Sequence, residues 1–266
     1  MREPVLERQE GRILVLTLND PERANPLSAA IVVALSEALE TAVVDAEVRA
    51  VVLAGAGRHF SAGADLEALE RIAEAGNEAV TRADADALRH LFEILLGYPK
   101  LTVAAVQGAA VAGGCGLATA CDLVVAEPGA RFAYTEVKIG FLAAIVSTFL
   151  TRRVAGHVAR RMLLDPEMVD GPRAVELGLA DELAREGDAL TTAVELARSI
   201  SAKASPSALA ATKALLNETV GAGWRQALDA AAEANVRQRM HPECRRGVRA
   251  FLEAKKTPNW LEESEE

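Results

Sequence analysis

The sequence predicts an α/β layered fold, on three observations. Four short, near-continuous apolar runs, at 13–18, 50–54, 102–106 and 123–126, are bounded by Gly, Asp or Pro, as in strands covered on both faces. Longer segments between and after them carry apolar residues at helical spacing. No linker rich in Gly, Ser or Pro divides the 266 residues, a length sufficient for one substantial core. Alternation of strand and helix then argues for helices layered on a sheet.

Each element has a local reason. After the strand at 13–18, Ser28 stands as the N-cap of a helix to about residue 42. The strand at 50–54 runs into a turn, 55–66, in which Asp65 opens a helix, and helical spacing returns over 83–96. The strand at 102–106 is followed by the small-residue segment 107–122, whose helix starts near Gly113, and then by the strand at 123–126. From Ala143 onward helix follows helix (189–202, 206–217, 224–239 and 242–255), with one short apolar stretch around 177–183. No internal repeat is evident. The division expected is an α/β core over 1–200 and a helical region over 201–266, packed on that core or on a neighbouring chain.

Composition narrows the function. With 38 acidic against 29 basic residues, a net charge of −9 and no block of Lys and Arg, the chain is not expected to bind nucleic acid. Cys115, Cys121 and Cys244 are too few for a disulfide framework and lack metal-site spacing, which suits a reducing compartment. The N-terminal residues show no secretion pattern, and the longest apolar stretch, 139–150, is too short to cross a bilayer. A cytoplasmic protein without membrane association is expected. His59, His90, His157 and His241 have no metal-ligand spacing, so surface or packing roles are expected and no metal.

Three segments carry candidate chemistry. Gly55-Ala-Gly-Arg-His-Phe-Ser-Ala-Gly-Ala-Asp-Leu66 allows close backbone approach to a ligand, but no Gly-Lys-Ser/Thr makes it a Walker loop, and His59 stands where a nucleophile elbow needs Gly. Residues 107–122, Gln-Gly-Ala-Ala-Val-Ala-Gly-Gly-Cys-Gly-Leu-Ala-Thr-Ala-Cys-Asp, can bury a helix and aim its unpaired N–H groups at an anionic oxygen. In Phe132-Ala-Tyr-Thr-Glu-Val-Lys-Ile-Gly-Phe141, Glu136 lies in apolar surroundings that would raise its pKa toward general acid/base range. Singly, these read as a capped turn, a close-packed Gly/Ala helix and a surface glutamate.

In this order and at these spacings, the segments resemble the enoyl-CoA hydratase/isomerase (crotonase) superfamily. The likeness covers nearly the whole chain, from Leu18-Asn-Asp-Pro-Glu-Arg-Ala-Asn-Pro-Leu-Ser28 to Gly247-Val-Arg-Ala-Phe-Leu-Glu253. It implies a spiral of ββα units with a helical C-terminal trimerisation region, and a variable, mobile loop near residues 73–91. It also implies an acyl-CoA thioester substrate, no separate cofactor, and a homotrimer or a hexamer built as a dimer of trimers.

Residue by residue, the resemblance implies that the backbone N–H groups of Ala64 and Gly113 hold the thioester oxygen and that Glu136 is the acid/base. Arg23 and Ala24 would lie near the adenosine-phosphate end of CoA, Ala62, Asp65 and Leu66 around its adenine and pantetheine, and Gly116 and Thr135 at the acyl site. Phe251 would come from a neighbouring subunit, where the family's lysine position is Ala254 with Lys255 one place along. Two departures stand out. Gly116 replaces the first of two water-holding glutamates, and residues 143–147 replace a Pro-Gly-x-Gly-Gly run. A bacterial hydratase-type branch shares the glycine, so addition of water to a 2-enoyl-CoA is the leading expectation. Δ3,Δ2-enoyl-CoA isomerisation by Glu136 as single base, and CoA binding without chemistry, stay open.

Overall fold

The computed structural model of the chain describes residues 3–219, 242–244, 246 and 258–261. Strand β1 (Val5–Glu10) pairs antiparallel with β2 (Ile13–Leu18) across a turn at Gly11. From β2 onward one unit recurs: a strand in a central sheet, a short strand in a smaller sheet, then helix. The first unit is β2, β3 (Pro26–Leu27) and α1 (Ala29–Val44); the second is β4 (Ala50–Gly55), β5 (Gly63–Ala64), α2 (Leu66–Ala75) and α3 (Glu78–Leu96). The third is β6 (Leu101–Val106), β7 (Ala109–Val111) and α4 (Gly113–Ala120). The fourth is β8 (Leu123–Ala126), β9 (Arg131–Ala133), α5 (Ala144–Arg153) and α6 (Gly156–Leu164). The described chain continues through β10 (Val169–Asp170), α7 (Gly171–Glu176), β11 (Glu182–Leu183), α8 (Ala189–Lys203) and α9 (Pro206–Thr219).

The central sheet has the order β1-β2-β4-β6-β8-β11 and is parallel except at β1. Side chains alternate between its faces, so each strand feeds two cores. Leu14, Leu16, Val51, Leu53, Ala104 and Val106 belong to one cluster with residues of α1, α3, α4 and α5. Ile13, Val15, Val52, Val103 and Val125 belong to the other, closed by Ala193, Val194 and Ala197 of α8. All six residues of β4 and of β6 are buried, which is why those strands read as unbroken apolar runs.

The four expected strands and the Ser28-capped helix are present, Ser28 Oγ accepting from the Ile31 N–H at 3.4 Å. The expected loop over 73–91 is instead helical for most of its length, because Asn77 caps α3 by accepting from the N–H groups of Ala79 and Val80. The ββα recurrence implied by the resemblance is present; the residue pattern alone did not show it, because its second strands span only two or three residues. Helix α9 packs on its own core: Lys213 donates to Asp122 at 2.6 Å and Asn217 to the Leu96 carbonyl at 2.7 Å. The helix expected at 224–239 lies outside the described residues; of 242–255, residues 242–244 and 246 are described and helical.

Candidate active site

The second and third units meet backbone to backbone. A Cβ on Gly114 would fall 2.5 Å from the Ser61 carbonyl oxygen, and one on Gly63 (φ +86°) 2.5 Å from that of Val111. Only glycine fits there, so α4 starts directly beside β5. The register Pro26↔Gly63 and Leu27↔Ala64 then aims the Ala64 N–H. Pro26 has no N–H to give, and parallel partners alternate as donors, so the β3 ladder uses the N–H groups of Leu27, Gly63 and Asp65. By the same alternation the Ala64 N–H is left out of that ladder. Gly113 is the first residue of α4, and its N–H meets no intrahelical acceptor. A Cβ on Gly113 would sit 3.9 Å from the Ala64 nitrogen, so the two donors share one half-buried opening. Two convergent N–H groups at a helix N-terminus suit an oxygen that gains negative charge.

Glu136 follows β9 and opens a short 3-10 turn, Glu136–Ile139, closed by Gly140 in the left-handed conformation. The residue is 7% exposed, and its Oε2 has no hydrogen-bond partner. Burial raises its pKa above the ordinary carboxylate value, with a backbone hydrogen bond opposing in part. An unpartnered buried carboxylate oxygen is costly unless it has chemical work. Nearby Cys115 is held as a thiol, its pKa pushed up to about 12 by burial. The Tyr134 phenol, 3.0 Å from the Thr119 hydroxyl, is likewise held neutral by burial. With Cys115 and Tyr134 held protonated, Glu136 is the candidate acid/base among these three neighbours.

At Gly116, a Cβ would lie 2.2 Å from Val146 Cγ1 and 3.4 Å from Phe92 Cζ. The space toward which a residue 116 side chain would point is filled by α5 and α3, and Phe92 stacks on Phe149 with ring centroids 5.2 Å apart. Gly116 therefore serves helix packing and is itself buried. Close after Glu136 in the chain, Val137, Ile139, Phe141 and Leu142 are 40–69% exposed.

The opening turn and the 55–66 segment form the rim. The Asp65 carboxylate caps α2 through the Ala68 N–H at 3.2 Å and accepts from Arg23 at 2.7 Å. Burial pushes the Asp65 pKa up, but these bonds outweigh it and hold the pKa below the ordinary value. Arg23 also faces Glu67 and Asp20, at 3.4 and 3.6 Å. The Ala62 N–H donates to the Ala24 carbonyl at 2.8 Å, with Ala62 and Leu66 exposed. Arg23, Ala24, Ala62, Asp65 and Leu66 are thus neighbours on one rim. Thr135 is half-buried directly before Glu136. Phe251, Ala254 and Lys255 lie outside the described residues.

The sequence did not single out Asn25, which organises this rim. It is fully buried; its amide donates to the carbonyls of Ala56 (2.9 Å), His59 (2.8 Å) and Phe60 (3.3 Å) and accepts from the Asp20 N–H at 2.9 Å. Ser61 Oγ donates to the Asn25 carbonyl at 2.8 Å and accepts from the Gly63 N–H at 3.1 Å, carrying the order to β5. His59 packs as expected, its Nδ1 accepting from the Ala109 N–H at 3.1 Å. Among the described residues no group of three His, Cys, Asp or Glu side chains could hold a metal ion, and no helix is long and apolar enough to cross a membrane.

Comparison with known proteins agrees with this geometry. The family model "Enoyl-CoA hydratase/isomerase" matches residues 8–263. A Thermus thermophilus protein named "Putative enoyl-CoA hydratase" is 47% identical over 94% of this chain and 98% of its own length. The Escherichia coli 2,3-dehydroadipyl-CoA hydratase is 32% identical over 98% of this chain and 99% of its own. The crystal structure of an enoyl-CoA hydratase from Polaromonas sp. JS666 superposes with a TM-score of 0.88 at 34% identity, covering 96% of this chain and 98% of that one. The mixed α/β architecture matches that of these relatives, and the chain belongs to the enoyl-CoA hydratase/isomerase family.

Proposed function

We propose that this enzyme adds water across the 2,3 double bond of an enoyl-CoA thioester, with Glu136 as its only acid/base side chain. The observation that carries the reading is the unpartnered, buried Oε2 of Glu136, which follows β9, the strand whose Ala133 carbonyl accepts from the N–H of Ala112 directly before Gly113. In this mechanism the thioester oxygen accepts from both N–H groups, and Oε2 accepts from a water. Glu136 takes the water's proton as the oxygen attacks C3. The electrons of the double bond move onto the thioester oxygen as an enolate, and protonated Glu136 returns the proton to C2. Losing one backbone donor would cost about 2.7–4 kcal/mol of transition-state stabilisation. With Val146 and Phe92 sealing Gly116, a second carboxylate has no place, so one group must act as base and then acid.

Coenzyme A enters as part of the substrate, along the rim of Arg23, Ala24, Ala62, Asp65 and Leu66, and Phe251 is assigned to the neighbouring subunit of a trimer or hexamer. No other cofactor is assigned. Hydration is favoured over isomerisation because the relatives above carry hydratase names. Isomerisation keeps one argument of its own, since moving a proton from C4 to C2 also needs a single base. Incubation with a short 2-enoyl-CoA and, separately, a 3-enoyl-CoA decides. A 3-hydroxyacyl-CoA product from the former supports hydration; double-bond migration alone establishes isomerisation, and tight binding without turnover removes both.

A further inference from the structure

Ala112 occupies backbone space that side chains rarely enter. Its φ of 50° and ψ of −125° belong to a region glycine takes readily, yet the residue carries a methyl group. It is the N-cap of α4 and makes no side-chain cap bond, so the strain is not offset by capping. Two backbone bonds hold it there. Its N–H donates to the Ala133 carbonyl at 2.8 Å, and its carbonyl accepts from the Gly116 N–H at 3.0 Å. The first ties it to β9, three residues before Glu136; the second ties it to the first turn of α4. Its methyl faces Gly63: a Cβ on Gly63 would fall 2.9 Å from the Ala112 Cβ and 3.0 Å from the Gly113 nitrogen.

Strain of this kind persists where surrounding contacts over-determine it. Here the strained residue directly precedes one backbone donor, and its methyl abuts the glycine that directly precedes the other. From this we infer that Ala112 is a positioning residue: its methyl, wedged against Gly63, fixes the Gly113 N–H relative to the Ala64 N–H. Glycine at 112 would satisfy the dihedrals better but would remove the wedge and widen the range of positions open to the Gly113 N–H. The inference rests on the reading of Ala64 and Gly113 as thioester-binding donors.

The test compares wild type, Ala112→Gly and Ala112→Ser, since serine keeps a Cβ. Thermal midpoints and steady-state turnover of a 2-enoyl-CoA are measured. So is the infrared stretch of bound butanoyl-CoA labelled with ¹³C at the thioester carbonyl, a saturated probe that does not react. For Ala112→Gly the expected result is an unchanged or higher midpoint, kcat lower by about 10–100-fold with KM within about twofold, and a smaller carbonyl red-shift than in wild type. Ala112→Ser should keep the wild-type red-shift and kcat. A wild-type red-shift in Ala112→Gly overturns the inference, as does a fall in kcat matched by a fall in thermal midpoint. No red-shift in wild type removes the donor reading and this inference together. A red-shift without any hydration removes the hydratase reading alone.

Discussion

Glu136 sits in a place that burial makes unfavourable for a charged carboxylate. Because its folded pKa is raised, the native state binds this proton more tightly than the unfolded chain does. The associated stability is complete below the ordinary value of 4.5 and is lost as pH rises through the raised value. Glu136→Gln should therefore melt at a higher temperature than wild type at pH 7, with the difference vanishing near pH 4, as scanning calorimetry across that range would record. Turnover has the opposite dependence. It needs the ionised base, so kcat/KM should climb with pH through a midpoint above 4.5. Gly113→Ala makes a second residue-scale test: its methyl would reach 3.2 Å from Leu27 Cδ1 and sit between the two donors. The variant should fold but lose about 10²-fold or more in kcat. Glu136 was legible in sequence only in combination with the two small-residue segments and the resemblance they carry, since a lone glutamate with apolar flanks reads as a surface residue. Asn25 was not, because an asparagine in a turn looks the same whether its amide meets water or three buried carbonyls.

Between elements, order passes through a few cross-links and close packings. Asn25 joins the opening turn to the loop after β4, and Asn25→Ala would leave buried carbonyls without donors. It should cost about 2–4 kcal/mol in urea unfolding and lower kcat as the Gly63–Ala64 backbone loosens. The α4–α5 contact gives a reciprocal pair. Gly116→Glu alone drives a side chain into Val146 and should destabilise the fold, whereas adding Val146→Ala should recover much of that loss in the same unfolding assay. The four long strands could be read from sequence because both faces of the sheet are covered, one by α8 and the other by α1, α3, α4 and α5. Strands of two or three residues such as β5 and β7 carry no periodic signal, so the ββα unit was legible through the family resemblance and not in the pattern of residues.

For the whole molecule, the acidic excess and the absence of a basic block pointed away from nucleic acids, while the abundance of Ala and Gly has its reason in backbone brought close to backbone at Ser61–Gly114 and Val111–Gly63. If neighbouring subunits complete the rim as proposed, light scattering should give a mass three or six times the 28.1 kDa of the chain. The proposed chemistry nevertheless converges on one side chain. The most direct test is the hydration of a short 2-enoyl-CoA by wild type and Glu136→Gln, with the dissociation constant for butanoyl-CoA measured alongside. A fall in kcat of at least about 10²-fold with unchanged affinity is the expected result; an unchanged rate would contradict the assignment of Glu136 as the sole acid/base.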